Sequence, residues 1–239
     1  IMMRVLAKAE YLAATSPQYI DSSPILSQMK DKCVVIPLSI DTERFRTPHP
    51  QAKALRQSWA GLPTILFVGL LRYYKGLEYL IQAMCEVDAR LVIVGKGSLR
   101  EDLEAQARNL GLEDRVIFAG EISDELLPAY YQAADIFCLP ACARSEAFGI
   151  VQLEALAAGL PIVSTELGTG TSYVNAHDVS GLVVPPRNSH ALAQALQRLV
   201  ENQTLRQRLA SGSAQRSDVF NVDIMMQHIY TVYEQAMAQ

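Results

Sequence analysis

Short apolar runs rich in β-branched residues recur along this chain, each followed by a stretch of helical periodicity, and that alternation admits few folds. The strand candidates are Val34–Ile36, Thr64–Val68, Leu91–Val94, Val116–Phe118, Ile136–Leu139, Pro161–Ser164 and Leu182–Val184. Between them lie helical stretches at Gly76–Cys85, Leu99–Leu110, Glu125–Ala133, Ile150–Ala158, His190–Leu199 and Leu205–Arg216. Strands alternating with helices build a parallel sheet, because each crossover needs a helix-length connection. Several runs are apolar throughout, as burial on both faces requires. The expectation is α/β: a Rossmann-like parallel sheet with helices on both faces. Gly69, Gly95 and Gly159 punctuate strand and helix ends, and Ser123 or Asp124 is placed to cap the helix from Glu125.

The ends of the chain differ. Residues 1–40 give a helix at Met2–Ala9, a Pro/Ser-rich loop, a helix near Pro24–Met29 and one strand. Asp41–Pro50, with two prolines, reads as a linker, which puts a boundary near 41–60. Residues 61–221 hold the repeating units. The tail at 222–239 is a separate helix whose Ile224, Met225, His228, Ile229 and Val232 form an apolar stripe. The chain opens on Ile1 and has no signal-peptide layout, so it reads as a piece of a longer protein.

Ligands of such sheets sit at the carboxyl ends of strands, in the loops that lead to helices. Four of these loops carry candidate chemistry. Gly69–Gly76 places Arg72 and Lys75 three apart, so two cations could neutralise a diphosphate, or could simply be solvated. Val94-Gly95-Lys96-Gly97-Ser98 lacks the third glycine of a dinucleotide fingerprint and the Gly-Lys-Ser/Thr ending of a P-loop. It could be no more than a tight turn. Glu166–Tyr173 is a Gly/Thr-rich loop that could offer N–H groups and hydroxyls to an anion. Finally, Glu146 and Glu154 stand eight apart across a helix start at Gly149. A helix N-terminus suits a phosphate. A carboxylate on each side could then grip hydroxyls of a sugar and of a ribose, which is the shape of a nucleotide-sugar. Glu154 lies among apolar residues, and a charge there needs a partner.

Composition narrows the classes. A formal net charge of −4 argues against a broad nucleic-acid surface. No apolar run approaches the roughly 20 residues of a membrane-spanning helix. Cys33, Cys85, Cys138 and Cys142 are scattered, mostly in apolar runs, and read as buried thiols of a reducing compartment. The four histidines are dispersed, with no metal or triad spacing.

In order, these pieces resemble the donor half of family 4 retaining glycosyltransferases of the GT-B fold. The resemblance rests on Val35-Ile36-Pro37…Arg44-Phe45, Gly69…Arg72-Tyr73-Tyr74-Lys75-Gly76, Val94–Ser98 and Val116–Gly120. It continues through Pro140…Glu146-Ala147-Phe148-Gly149…Glu154-Ala155, Gly159–Val163 and Gly181–Pro186. It covers about residues 10–235. The family often carries Asn-Gly where this chain has Leu38-Ser39.

The resemblance implies that Arg72 and Lys75 bind a donor diphosphate, Glu146 the transferred sugar and Glu154 the ribose. Backbone at Phe148, Gly149 and Ile150 would meet sugar and phosphates, Phe118 the base edge, and Gly95 and Gly97 would keep the cleft floor open. Arg72, Lys75 and Glu146 would serve the chemistry, with no cofactor and no metal. The implied partners are a nucleoside-diphosphate sugar and a glycan or lipid-linked acceptor, in bacterial polysaccharide or glycolipid assembly, with no nucleic acid. The implied place is the cytoplasm, or the inner face of the membrane through an acceptor domain that precedes these residues. Residues 1–40 would be the end of that domain, 41–60 the linker, and 222–239 the helix that crosses back. A non-catalytic nucleotide-sugar binding module is the alternative.

Overall fold

The computed structural model describes residues 2–59 and 61–238. The first forty residues give α1 (Met2–Lys8), β1 (Leu12–Ala14), α2 (Pro17–Ser22) and β2 (Cys33–Val35), with β1 and β2 paired in parallel. Two expectations fail here. The Pro/Ser-rich loop is a helix, because Ser16 caps Tyr19 N–H at 3.1 Å and Pro17 takes the first turn. That arrangement is a helix-start signature. The helix near Pro24–Met29 shrinks to a single 3₁₀ turn at Leu26–Gln28. The expected linker stretch is ordered too, holding α3 (Glu43–Arg46) and α4 (Ala52–Ser58).

The repeating units run β3 (Thr64–Val68), α5 (Leu77–Ala83), β4 (Arg90–Val94), α6 (Arg100–Asn109), β5 (Val116–Gly120) and α7 (Leu127–Ala133). They continue as β6 (Ile136–Leu139), α8 (Ile150–Ala157), β7 (Ile162–Thr165), α9 (Thr171–Val174) and β8 (Gly181–Val184). Next come α10 (Ser189–Glu201), α11 (Gln203–Arg216) and α12 (Val222–Met237). Strands β3 to β8 form one parallel sheet in the order β5-β4-β3-β6-β7-β8. The helices pack in two groups, α5 with α6 and α10, and α3 and α4 with α7, α8 and α11. Right-handed crossovers that run outward from β3 to β5 and then the other way from β5 through β6 to β7 put α5 and α6 on one face and α7 and α8 on the other. The expected fold class is what is found.

Burial explains the sequence pattern. β3 and β6 are buried at every position, as are the last four residues of β4. α7 starts at Leu127 rather than Glu125. Pro128 favours the first turn, and the Ser123 carbonyl, not its side chain, accepts from the Leu126 and Leu127 N–H groups. Of the cysteines, Cys138 and Cys142 are buried, Cys33 is half-buried and Cys85 is exposed.

α12 returns to the first forty residues. Ile40 N–H donates to the Phe220 carbonyl at 3.2 Å, and Ser39 Oγ lies 3.3 Å from Met225 Sδ. Ile224, Met225, Ile229 and Val232 are half-buried, whereas His228 is exposed. Ile229 and Val232 line a groove opposite Tyr11 and Ile36. Among the described residues, no helix is long and apolar enough to cross a membrane.

Candidate functional site

The strand order reverses once. The chain steps outward from β3 to β4 and β5, then returns to set β6 beside β3 and steps outward the other way. The loops after β3 and β6 part from adjacent strand ends, and the crevice between them is where ligands of such sheets bind. These are the loops that carry Arg72, Lys75 and Glu146.

Close backbone docking closes that crevice at its base. Gly76 has φ +68°, and a Cβ there would stand 2.2 Å from the Pro140 carbonyl oxygen. Cys142 N–H donates to the Tyr74 carbonyl at 2.8 Å, and Cys142 Sγ to the Tyr73 carbonyl at 3.1 Å. The docking brings Lys75 Nζ to 2.5 Å from Glu146 Oε2, with both side chains about nine-tenths buried. Glu146 Oε2 makes no aligned hydrogen bond, so the contact is an ion pair alone. Lys75 Nζ also lies 5.5 Å from the Tyr74 ring centre. Arg72, on the same loop, is exposed, and its side chain has no partner among the described residues.

α8 opens beside Glu146. Gly149 is its N-cap, in a left-handed conformation (φ +80°) that a side chain would strain, and no side chain caps the helix. Its first N–H groups are thus left for another acceptor. Ile150 is exposed at this end, while the Phe148 ring is buried, edge-on to Phe220 at 6.3 Å. Phe148 has only its backbone to present.

Glu154 stands one turn further along α8. The sequence asks for a partner there, and the fold supplies one: Tyr131 Oη of α7 donates to Glu154 Oε2 at 2.6 Å. Burial lifts the Glu154 pKa above the ordinary carboxylate range, while the Tyr131 hydrogen bond and the charge of Arg44 pull it back. Burial and the Glu154 charge hold Tyr131 well above its ordinary pKa, so it remains a donor. Neither Tyr131 nor Arg44 is legible from sequence as a site residue, since both lie on elements distant along the chain from α8.

The remaining candidates flank this centre. A Cβ on Gly95 would stand 1.9 Å from the Gly69 carbonyl oxygen, and one on Gly97 2.3 Å from that of Leu71. These glycines let the loop after β4 lie against the loop that carries Arg72, where Leu71 N–H donates to the Lys96 carbonyl at 2.9 Å. Phe118, on the edge strand β5, is half-buried with the Arg100 guanidinium 6.0 Å from its ring centre. The Gly/Thr-rich loop does not present hydroxyls to the crevice from Thr169 or Thr171, because both are buried. Among the described residues, no cluster of His, Cys, Asp or Glu is placed to hold a metal ion. The arrangement can hold an anion against Arg72 and the open end of α8, with a carboxylate at hand for hydroxyl groups.

A protein-family model described as "Glycosyl transferases group 1" matches residues 54–216, more than half of the chain. A D-rhamnosyltransferase of Pseudomonas aeruginosa is 41% identical over 202 residues, which are 84% of this chain and 53% of that protein. The O-antigen chain mannosyltransferase C of Escherichia coli is 36% identical over 231 residues, 96% of this chain and 62% of that one. The chain spans about half the length of the curated relatives it matches. The Anabaena protein HepE, solved in complex with UDP, superposes with a TM-score of 0.87 at 26% identity, over 98% of this chain and 67% of its own. Sheet order, loop chemistry and these matches agree: the chain belongs to the group 1 glycosyl transferases.

Proposed function

We propose that this chain is the donor-binding part of a family 4 glycosyltransferase that moves a hexose or deoxyhexose from a nucleoside diphosphate to an acceptor hydroxyl with retention. One observation carries the reading. At the switch-point crevice a paired cation (Lys75) meets a carboxylate (Glu146) just ahead of the uncapped start of α8, and the loop that supplies Lys75 also carries a free cation (Arg72). The UDP held by HepE and the sugar-transferring names of the relatives support it.

In this reading the diphosphate lies against Arg72, Lys75 and the first N–H groups of α8. Charge that builds on the leaving phosphate as the glycosidic bond breaks is stabilised by those groups, and the reading calls on no divalent metal. Glu146 receives hydroxyls of the sugar, and Glu154 those of the ribose, with Tyr131 holding its other oxygen. Phe118 would meet the base edge. The acceptor, a growing glycan or lipid-linked sugar, would be held by a preceding domain. Residues 1–40 are the end of that domain, 41–60 the linker and 222–239 the returning helix. Assembly at the inner face of a cytoplasmic membrane belongs to the same reading.

A thermal-shift panel of UDP, GDP and their sugars tests it. A donor at 100 times its Kd stabilises the fold by about 2.7 kcal/mol, a rise of several degrees in Tm for a chain of this size. No shift with any member would overturn the reading.

A further inference from the structure

The loop between β7 and α9 has the composition of an anion cradle, but its polar groups turn inward. Thr169 and Thr171 are 0% and 1% exposed. Thr169 Oγ1 donates to the Glu146 carbonyl at 2.9 Å. Gly170 N–H donates to the next carbonyl, that of Ala147, at 2.7 Å. Gln152 Nε2 bridges the carbonyls of Phe148 (3.4 Å) and Thr171 (3.2 Å). Three consecutive carbonyls, those of Glu146, Ala147 and Phe148, are thus held by three donors from two elements.

The two threonines form a chain. Their hydroxyls are 3.2 Å apart, and each has one proton. Thr169 commits its own to Glu146, so Thr171 is the donor between them. The Thr165 carbonyl, 3.4 Å from Thr171 Oγ1, is a second and more distant acceptor for that same proton. Buried carbonyls must be paired somewhere, but here the pairing has a geometric consequence. It fixes the peptide that carries the Glu146 side chain, whose carboxylate lies at the switch point beside Lys75. Recognition of a hydroxyl by a carboxylate tolerates only fractions of an ångström and is set by the groups behind it.

We propose that Thr169, backed by Thr171, is the positioning residue for Glu146, and so governs recognition of the transferred sugar but not of the diphosphate. The inference rests on the reading that Glu146 meets the sugar.

Calorimetric titration of UDP, GDP, UDP-glucose and GDP-mannose into the wild-type chain, Thr169→Val and Thr169→Ser tests it. Valine keeps the shape and removes the hydroxyl; serine restores it. Thr169→Val should bind the preferred nucleotide-sugar about tenfold more weakly, the effect of one hydrogen bond. It should bind the free nucleotide as the wild type does, and Thr169→Ser should recover most of the loss. Unchanged sugar affinity in Thr169→Val would overturn the proposal. So would an equal loss for nucleotide and nucleotide-sugar, which would mark a merely structural threonine. Should Thr169→Val not fold, Thr171→Val goes through the same panel. It removes the backing and keeps the Glu146 bond, so a smaller but sugar-specific loss is expected, and none would be contrary. A wild-type chain that gains nothing from any sugar, with Glu146→Gln equally silent, would overturn the underlying reading, and that outcome is visible without any threonine variant.

Discussion

Lys75 Nζ stands 2.5 Å from Glu146 Oε2, and the two residues come from loops that leave neighbouring strands at the point where the sheet reverses direction. A charge pair this buried is costly to break from one side, because the survivor is left without its partner. Lys75→Met alone should therefore destabilise the chain by about 3–5 kcal/mol. Adding Glu146→Gln should recover most of that loss while leaving the site unable to bind a donor. Urea unfolding of both variants checks this, and equal stability of the single and double variants would speak against a coupled pair.

Arg72 is the opposite case. It is exposed and its side chain is unpartnered among the described residues, so Arg72→Ala should change stability by no more than about 0.5 kcal/mol. Nucleoside diphosphate binding should nonetheless weaken by about 1.5–3 kcal/mol, the range for hydrogen bonds to a charged group. Calorimetry alongside unfolding separates the two effects. Unchanged affinity would remove Arg72 from the site.

Gly76 is the hinge on which both loops meet. Its φ of +68° and the 2.2 Å from an added Cβ to the Pro140 carbonyl oxygen leave alanine no room. Gly76→Ala should cost about 1–3 kcal/mol or more, from left-handed strain plus a clash with backbone that cannot rotate away. Donor binding should fall with it, since the docking that sets Lys75 beside Glu146 is lost. Gly111, also left-handed but with open space around an added Cβ, is the control. Its alanine variant should lose only the strain component and keep donor affinity.

Glu154 gives a pH signature. Its folded pKa is raised, chiefly by burial, so between the ordinary carboxylate value and the raised one the native state holds more protons than the unfolded chain. Stability then falls as pH rises across that window. Glu154→Gln removes this dependence and keeps an acceptor for Tyr131 Oη. The variant should match the wild type near pH 4, about the ordinary carboxylate value, and be the more stable of the two near neutrality. Thermal melts across that range check it, and a difference constant with pH would contradict it.

The sequence speaks clearly where chemistry is local. Strand and helix alternation, the Gly159 helix end and the spacing of Glu146 and Glu154 can each be read within a dozen residues, and the parallel sheet follows. Ser16-Pro17 is equally local, yet a Pro/Ser-rich composition hides the cap and first turn that the two residues form. The contacts that complete the site are of another kind. Lys75 meets Glu146, Tyr131 meets Glu154 and Thr169 meets the Glu146 backbone only after crossovers have folded, and no periodicity announces such pairs. The Gly/Thr-rich loop shows the limit best. Its hydroxyls suggest a ligand, and only the fold reveals that those of Thr169 and Thr171 turn toward the chain itself.

The division of labour between the two glutamates is tested most directly by one crossed titration. UDP, GDP and their sugars are titrated calorimetrically into the wild type, Glu146→Gln and Glu154→Gln. Glu154→Gln should weaken free nucleotide and nucleotide-sugar alike, because the ribose is common to both. Glu146→Gln should weaken the nucleotide-sugar while leaving the free nucleotide nearly unchanged. Equal losses of free nucleotide in both variants, or no binding of any member by the wild-type chain, would contradict it.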